Sequence, residues 1–253
     1  MEIRDGLSIL DQIVYGRLCF LQRETPEVVQ FSLRGWEEER ERFFRAQRRA
    51  VRQLADFYDQ AFQVVGVDTA SIFAVHTMLL EDDDFVKTIL HHICADGTTA
   101  EYAVRTVGET FAATFAQLDS PYMQARAADM RDIYRRVIHL LQKGIPDDDP
   151  LREGPVILVA DEFLPSEVMR LNCKRLLGVI SRKGSVDSHT AMLLRAYHIP
   201  AMTQVDLDPS WDGHLALLDG AGHRIYLDPE RDVLEMLRER YQAGGKPREL
   251  VRT

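Results

Sequence analysis

Lys183-Gly184-Ser185-Val186-Asp187-Ser188-His189-Thr190-Ala191-Met192-Leu193-Leu194-Arg195, closed by His198-Ile199-Pro200-Ala201, is the stretch with the clearest capacity for chemistry. It follows the strand-like run Leu177-Gly178-Val179-Ile180. It reads as a flexible turn and then a helix with Ser188 as N-cap and His189 in the first helical turn. The unpaired amides of a helix start, with the positive end of its dipole, favour an anion beside that imidazole. Unprotonated imidazole is a nucleophile near neutral pH, its ordinary pKa being about 6.5. The chemistry suggested is carriage of a phosphoryl group. A single histidine at a helix start is usually a surface or capping residue, so the weight rests on the run around it.

The elements that must position this run are set by the rest of the chain. At 253 residues the chain is long enough for two domains of ordinary size. Its hydrophobic content of 45% and charged content of 28% are those of a folded globular protein. A net charge of -9 argues against nucleic-acid binding and suits a basic protein partner. No apolar run reads as a membrane span and the first residues do not read as a signal peptide, so a cytoplasmic, membrane-free protein is expected. Cys19, Cys94 and Cys173 are far apart and flanked by apolar residues, which predicts buried free thiols rather than a metal or disulfide framework. His91-His92 point about 100° apart on a helix and make poor joint ligands. Asp82-Asp83-Asp84 and Asp147-Asp148-Asp149 lack calcium-loop spacing and read as solvated charge. No metal site is expected.

In chain order, Ile13–Leu21 reads as a strand with no nearby partner, and the next strand-like run is Val156–Ala160. Pairing of the two would make everything between an insertion. Residues 32–144 carry three- and four-residue apolar spacing. The spacing predicts a long helix through Phe43–Val65, a second through Ile72–Leu80 and a short one through Val86–Ile93. Two more follow through Ala100–Phe115 and from Pro121 to Leu141, the whole forming a bundle. After the acidic linker Pro146–Pro150 the pattern becomes alternating strands and helices: Val156–Ala160, a helix start at Pro165, Leu177–Ile180, the histidine helix and a hairpin of Leu215–Asp219 with Arg224–Asp228 around Gly220-Ala221-Gly222. An amphipathic helix Pro229–Gln242 and a polar tail close the chain. The expected organisation is a discontinuous α/β domain of 1–31 with 145–230, a helical bundle of 32–144, and a linker helix and tail of 231–253.

The run around His189 resembles the phosphohistidine segment of Enzyme I of the phosphoenolpyruvate:sugar phosphotransferase system. Gly184, Ser188, His189, Thr190, Ala191, Arg195, Pro200 and Ala201 stand at the matching places. Related swivelling domains occur in pyruvate phosphate dikinase and phosphoenolpyruvate synthase. The bundle selects Enzyme I, through Ile72-Phe73, His76, Met78-Leu79-Leu80-Glu81-Asp82 and Ala127-Ala128-Asp129-Met130-Arg131-Asp132-Ile133. Val159-Ala160-Asp161, Pro165-Ser166-Glu167 and Leu176-Leu177-Gly178 resemble the family's segments ahead of the histidine.

The resemblance implies an α/β swivelling phosphohistidine domain with an inserted all-α helical bundle subdomain. It implies phosphoryl transfer through His189 to the phosphocarrier protein HPr, with Ser188, Gly184 and Arg195 in the catalytic set. Docking of HPr would use Ile72, His76, Met78, Leu79, Asp84, Phe85 and Arg126. Phosphoenolpyruvate and Mg²⁺ would bind a barrel domain that follows in the family and is not among these 253 residues, so no cofactor is expected within them. Lys183 and Asp187 stand where the family has glycine and threonine, and Val168 where a hydroxyl residue is common. Near the N-terminus Ile9-Leu10-Asp11-Gln12-Ile13 replaces a Pro-Gly-Ile segment. These departures keep open a different class of function, a non-catalytic docking or regulatory module for an HPr-like partner.

Overall fold

The computed structural model describes residues 1–23, 27–142, 154–171 and 175–243. The acidic linker Pro146–Pro150, Cys173 and the polar tail lie outside them. The chain forms two compact units, one of residues 24–147 with 164–169 and one of 1–23, 148–163 and 170–253.

The first of these is helical. Helix α1 (Trp36–Leu80) joins the two helices expected over this range, with non-helical backbone at Gly66. Gly66 has φ +76°, a conformation that glycine adopts without the Cβ clash other residues meet. The break lets the helix fold back: Gln47 Nε2 donates to the carbonyl of Leu80 at 2.9 Å, atoms that a straight helix would hold roughly 50 Å apart. Among the described helices α1 is also the one that is long and apolar enough to cross a membrane by length and composition alone, a test that core helices pass as well. Its apolar face is spent otherwise, with Phe43, Leu54, Ile72 and Phe73 buried in the bundle.

Helix α2 (Asp83–Cys94) is capped by Asp82, whose carboxylate accepts from the amides of Asp84 and Phe85 at 3.0 Å. Asp82 is therefore not merely solvated charge. Helix α3 (Ala100–Ala116) is capped by Thr99 Oγ1, which accepts from Tyr102 N. Helix α4 (Pro121–Leu141) starts on a proline, whose missing N–H costs nothing at that position. The short helix α5 (Pro165–Arg170) contributes Pro165, Ser166 and Val168 to buried positions. The unit's core includes Phe85, Ile89, Ile93, Val104, Met130 and Ile133, all below 2% exposure; burial of each such side chain stabilises by about 1.5–3 kcal/mol.

One polar knot fastens the bundle at its start. Glu39 is fully buried and accepts from Ser32 Oγ at 2.6 Å, Arg42 Nη1 at 2.5 Å and the amide of Ala100 at 3.0 Å. Arg42 in turn makes a forked pair with Glu101. The segment before α1, α1 itself and the first turn of α3 thus share one carboxylate.

The second unit is built on an eight-stranded sheet. Its strands are β1 (Glu2–Asp5), β2 (Leu7–Ser8), β3 (Ile13–Phe20), β4 (Val156–Ala160), β5 (Leu176–Ser181), β6 (Ala201–Thr203), β7 (Leu215–Asp219) and β8 (Arg224–Leu227), in the order β1-β8-β7-β3-β4-β5-β6-β2. Strand β3 pairs in parallel with β4, Leu18 opposite Ile157, across the whole helical insertion. Strands β4, β5 and β6 continue in parallel, and β7 and β8 form the hairpin read from the sequence. Strands β1 and β2 occupy opposite edges yet are separated in sequence by Gly6 alone. The N-terminal strand therefore closes the sheet on itself, and a Cβ at Gly6 would stand 2.7 Å from Met202 and Val205. Leu18, Ile157, Val159, Ile180, Met202 and Trp211 are among the buried side chains of its core. Helix α6 (His189–Ala196) follows β5, and helix α7 (Arg231–Ala243) lays Leu237 against Leu217 and Tyr226.

Two expectations need correction. Residues 164–169 cluster with the helical unit rather than with the sheet that flanks them in sequence. Cys94 is exposed and Cys19 half-buried, both free, because Cys94 sits at the outer end of α2.

Glu39 supplies a prediction. Burial raises its carboxyl pKa, but the Ser32 hydroxyl, the Ala100 amide and Arg42 outweigh that and hold it below its ordinary value. A depressed folded-state pKa gives stability that is present above the unfolded pKa and lost as pH falls through the folded one. Glu39→Gln is expected to lower stability by about 1–3 kcal/mol at pH 7 and to flatten the acid limb of stability against pH. Urea unfolding from pH 3 to 7 would measure both; parallel pH curves for the two proteins would contradict the assignment.

Candidate functional site

The His189 run lies at the carboxyl end of the parallel strands. It leaves β5 through Arg182, whose amide donates to Ala160 O, and Lys183, whose amide donates to Asp161 O at 2.7 Å. The turn thereby hangs on the loop that follows β4. Gly184 has φ +135°, a conformation L side chains avoid. A Cβ there would stand 2.8 Å from Thr203 Oγ1. Thr203 accepts from Ser181 Oγ at 3.1 Å, and Gln204 Nε2 donates to Gly184 O at 3.2 Å. The end of β6 thus moulds the turn that sets the start of α6.

Ser188 is the N-cap of α6, its Oγ accepting from Ala191 N at 3.2 Å. The same hydroxyl donates its one proton to Ser185 O at 2.8 Å. Ser188 therefore positions the helix start, and donation to a bound phosphate would cost it that bond. A helix start offers anions the backbone amides of its first turn; here the amide of Ala191 is already accepted by Ser188 Oγ. His189 occupies the first helical position, half-buried. Thr190, beside it, donates from Oγ1 to the carbonyl of Phe163 at 3.0 Å, a second tie to the loop after β4.

Arg195 lies elsewhere on α6. Its Nε donates to the carbonyl of Ile9 at 3.1 Å, and six residues of helix turn it about 120° away from His189. It anchors α6 to the N-terminal segment. Asp187 is exposed, its amide accepted by Ser185 Oγ at 3.2 Å. A recess of about 240 Å³ opens beside the same strand ends, lined by Phe20, Arg23, Asp161 and Arg182 among others. Both guanidinium groups there are engaged by carbonyls, Arg182 by Leu207 and Arg23 by Glu162. Among the described residues no cluster of three or more His, Cys, Asp or Glu side chains is placed to hold a metal.

The expected docking residues divide. Met78 is 71% exposed, Asp84 is exposed and Leu79 half-buried. Ile72, His76, Phe85 and Arg126 are buried within the helical unit and do not form its surface as folded. Ile72 and Phe85 are core because their helices present them inward with Phe73 and Ile89. His76 and Arg126 belong to a buried polar cluster: His76 Nε2 lies 3.3 Å from Asp129 and Nδ1 3.9 Å from Asp132, and Arg126 pairs with Asp129 at 2.8 Å. Burial raises the Asp129 pKa, and the neighbouring His76 and Arg126 bring it below its ordinary value.

Two family models match the chain, PEP-utilising enzyme, N-terminal, over residues 5–126 and PEP-utilising enzyme, mobile domain, over 152–223. The second contains the whole histidine turn. The chain belongs to the Enzyme I N-terminal domain family. It is 31% identical over 96% of its length to the phosphoenolpyruvate-protein phosphotransferase of Bacillus subtilis, of which it spans 43%. It is 29% identical over 92% of its length to that of Haemophilus influenzae, of which it spans 41%. The chain thus spans less than half the length of these curated relatives. An NMR solution structure of Enzyme I shares the fold with a TM-score of 0.70 at 24% identity, over 96% of this chain and all of that one. An N-terminal domain of the nitrogen Enzyme 1 matches with a TM-score of 0.63 at 27% identity, over 94% of this chain and 99% of that one. The α/β unit with its helical subdomain is the architecture of Enzyme I N-terminal domains.

Thr190 was named in the sequence only as a matching place, without its bond to Phe163; Thr203 and Gln204 were not singled out at all. Thr203 and Gln204 follow from β6, a three-residue strand too short to leave a periodicity. For the turn itself the expectation is specific. Gly184→Ala should cost about 1–3 kcal/mol through its backbone conformation, and adding Thr203→Ala should restore only the steric part. Chemical denaturation of the single and double variants measures the split; wild-type stability of Gly184→Ala would show that the turn does not need glycine.

Proposed function

We propose that this chain relays a phosphoryl group through His189, exchanging it with a histidine-containing phosphocarrier of HPr type in a sugar phosphotransferase pathway of the cytoplasm. The observation that carries this reading is the position of His189: first residue of a capped helix, at the carboxyl end of parallel strands, on a turn whose glycine conformation is enforced by β6. The family membership, in which the relatives are phosphoenolpyruvate-protein phosphotransferases, supports it.

In the step proposed, an unprotonated ring nitrogen of His189 attacks the phosphorus of the phosphorylated carrier. The new N–P bond forms as the carrier's N–P bond breaks, and the released imidazole takes up a proton. The helix-start amides stabilise the charge on the equatorial oxygens, and Ser188, Gly184 and Thr190 hold them in place. Positioning and electrostatics supply most of the rate in such transfers. The net charge of -9 suits a basic carrier, and exposed Met78 and Asp84 with half-buried Leu79 form the part of the expected docking set available on the surface. Phosphoenolpyruvate and Mg²⁺ are assigned to a barrel domain outside these residues.

A second reading, a docking or regulatory module without transfer, is favoured by two observations. Exposed Asp187 places a carboxylate two residues before the histidine, and Val168 is buried where a hydroxyl would stand in the family. The chain mixed with ³²P-labelled phospho-HPr separates the two. Acid-labile, base-stable label that disappears in His189→Ala supports the relay; binding without label leaves the docking module. Asp187→Thr is then expected to raise the labelling rate severalfold by removing the negative charge.

A further inference from the structure

The buried cluster around His76 is not used by the relay, and its partners are unusual. His76 on α1 is fully buried, and neither ring nitrogen has an aligned hydrogen-bond acceptor. Both instead face carboxylates of α4, one turn apart at Asp129 and Asp132. Asp132, 2% exposed, also accepts from the amide of Ser166 at 2.9 Å and from its hydroxyl. Ser166 lies in 164–169, which the chain enters from Phe163 and leaves at Arg170, both in the α/β unit. A carboxylate buried at this depth is stable only while hydrogen-bonded or paired, since desolvating an uncompensated charge costs several kcal/mol.

We propose that Asp132 is a clasp that fastens residues 164–169 to the helical bundle, and that the protonation state of His76 sets how firmly the clasp holds. The imidazolium ring offers an N–H to each of the two carboxylates and balances their charge. The neutral ring serves one at most. The remaining negative charge is then relieved by water reaching Asp132, which requires Ser166 to lift away. Three charged groups on the neighbouring elements have contacts of their own. Arg126 is paired with Asp129, Glu167 of α5 accepts from the amide of Leu164, and Arg136 donates to Gln53 and lies over Phe57. The inference does not depend on the phosphoryl-transfer reading.

The test uses the 253-residue chain with ¹⁵N-labelled histidine rings and backbone, followed by NMR across pH 5.5–9. The ring titration of His76 and the amide exchange of Ser166, corrected for its intrinsic pH dependence, are read together. The clasp predicts that Ser166 protection falls at least about tenfold in step with loss of the second His76 proton, while Ala103 and Val104 in α3 stay protected. Ser166→Ala is expected to free the segment at every pH, and His76→Gln to fix it in the loosened state. Ser166 exchange that ignores the ring titration would overturn the proposal. So would loss of protection in step with α3, which would mark global unfolding. If His76→Gln does not fold, the wild-type titration decides by itself.

Discussion

The pairing of β3 with β4 is the constraint on which the rest depends. Leu18 and Ile157 lie side by side in one parallel ladder, with helices α1 to α4 between them in sequence. A parallel pair needs a crossover, and here that crossover carries a bundle with its own core. The cost of closing such a long loop grows only slowly with its length, so the insertion is tolerated provided it folds on its own account. The bundle does so through a core of phenylalanine, isoleucine and methionine and through the shared carboxylate of Glu39.

The same ladder fixes the geometry of the histidine turn. Because β3, β4, β5 and β6 run in parallel, their carboxyl ends lie at one edge, and the loops after β4 and β5 meet there. The amides of Arg182 and Lys183 and the hydroxyl of Thr190 bind the second loop and its helix to the first. His189 is held by backbone more than by side chains. Ser188 spends its hydroxyl inside the turn, and Arg195 reaches back to the N-terminal segment rather than forward to the histidine. That segment matters twice, since it also closes the sheet through Gly6.

Two buried carboxylate clusters distinguish the helical unit. Glu39 accepts from the Ser32 hydroxyl, the Ala100 amide and Arg42, which it shares with Glu101. Asp129 and Asp132 are met by Arg126, Ser166 and a histidine whose charge depends on its proton. The first is held by an arginine and two neutral donors, whereas the second includes an imidazole between two carboxylates. The residues that join these clusters come from segments distant in sequence, which makes each a long-range tie between helices rather than a local cap.

Apolar periodicity was enough to read the helices of the bundle, the strands β3, β4 and β5, the β7–β8 hairpin and the capped start of α6 from the sequence, because each is dictated by local spacing and cap residues. The run around His189 was legible for the same reason: Gly184, Ser188 and His189 act within one turn and its helix. Strands β1, β2 and β6 were not, since two to four residues leave no period and acquire their pairing only from neighbours already in place. The break at Gly66 was legible, falling between the helices read over 43–65 and 72–80; that the second folds back so that Gln47 meets Leu80 was not, because no local rule connects those two positions. Burial of Ile72, His76, Phe85 and Arg126 was decided by tertiary structure, for a helix with apolar and polar residues on more than one face does not say which face meets the core. The attachment of residues 164–169 to the bundle rests on Asp132 meeting Ser166, a contact between positions that no local rule connects.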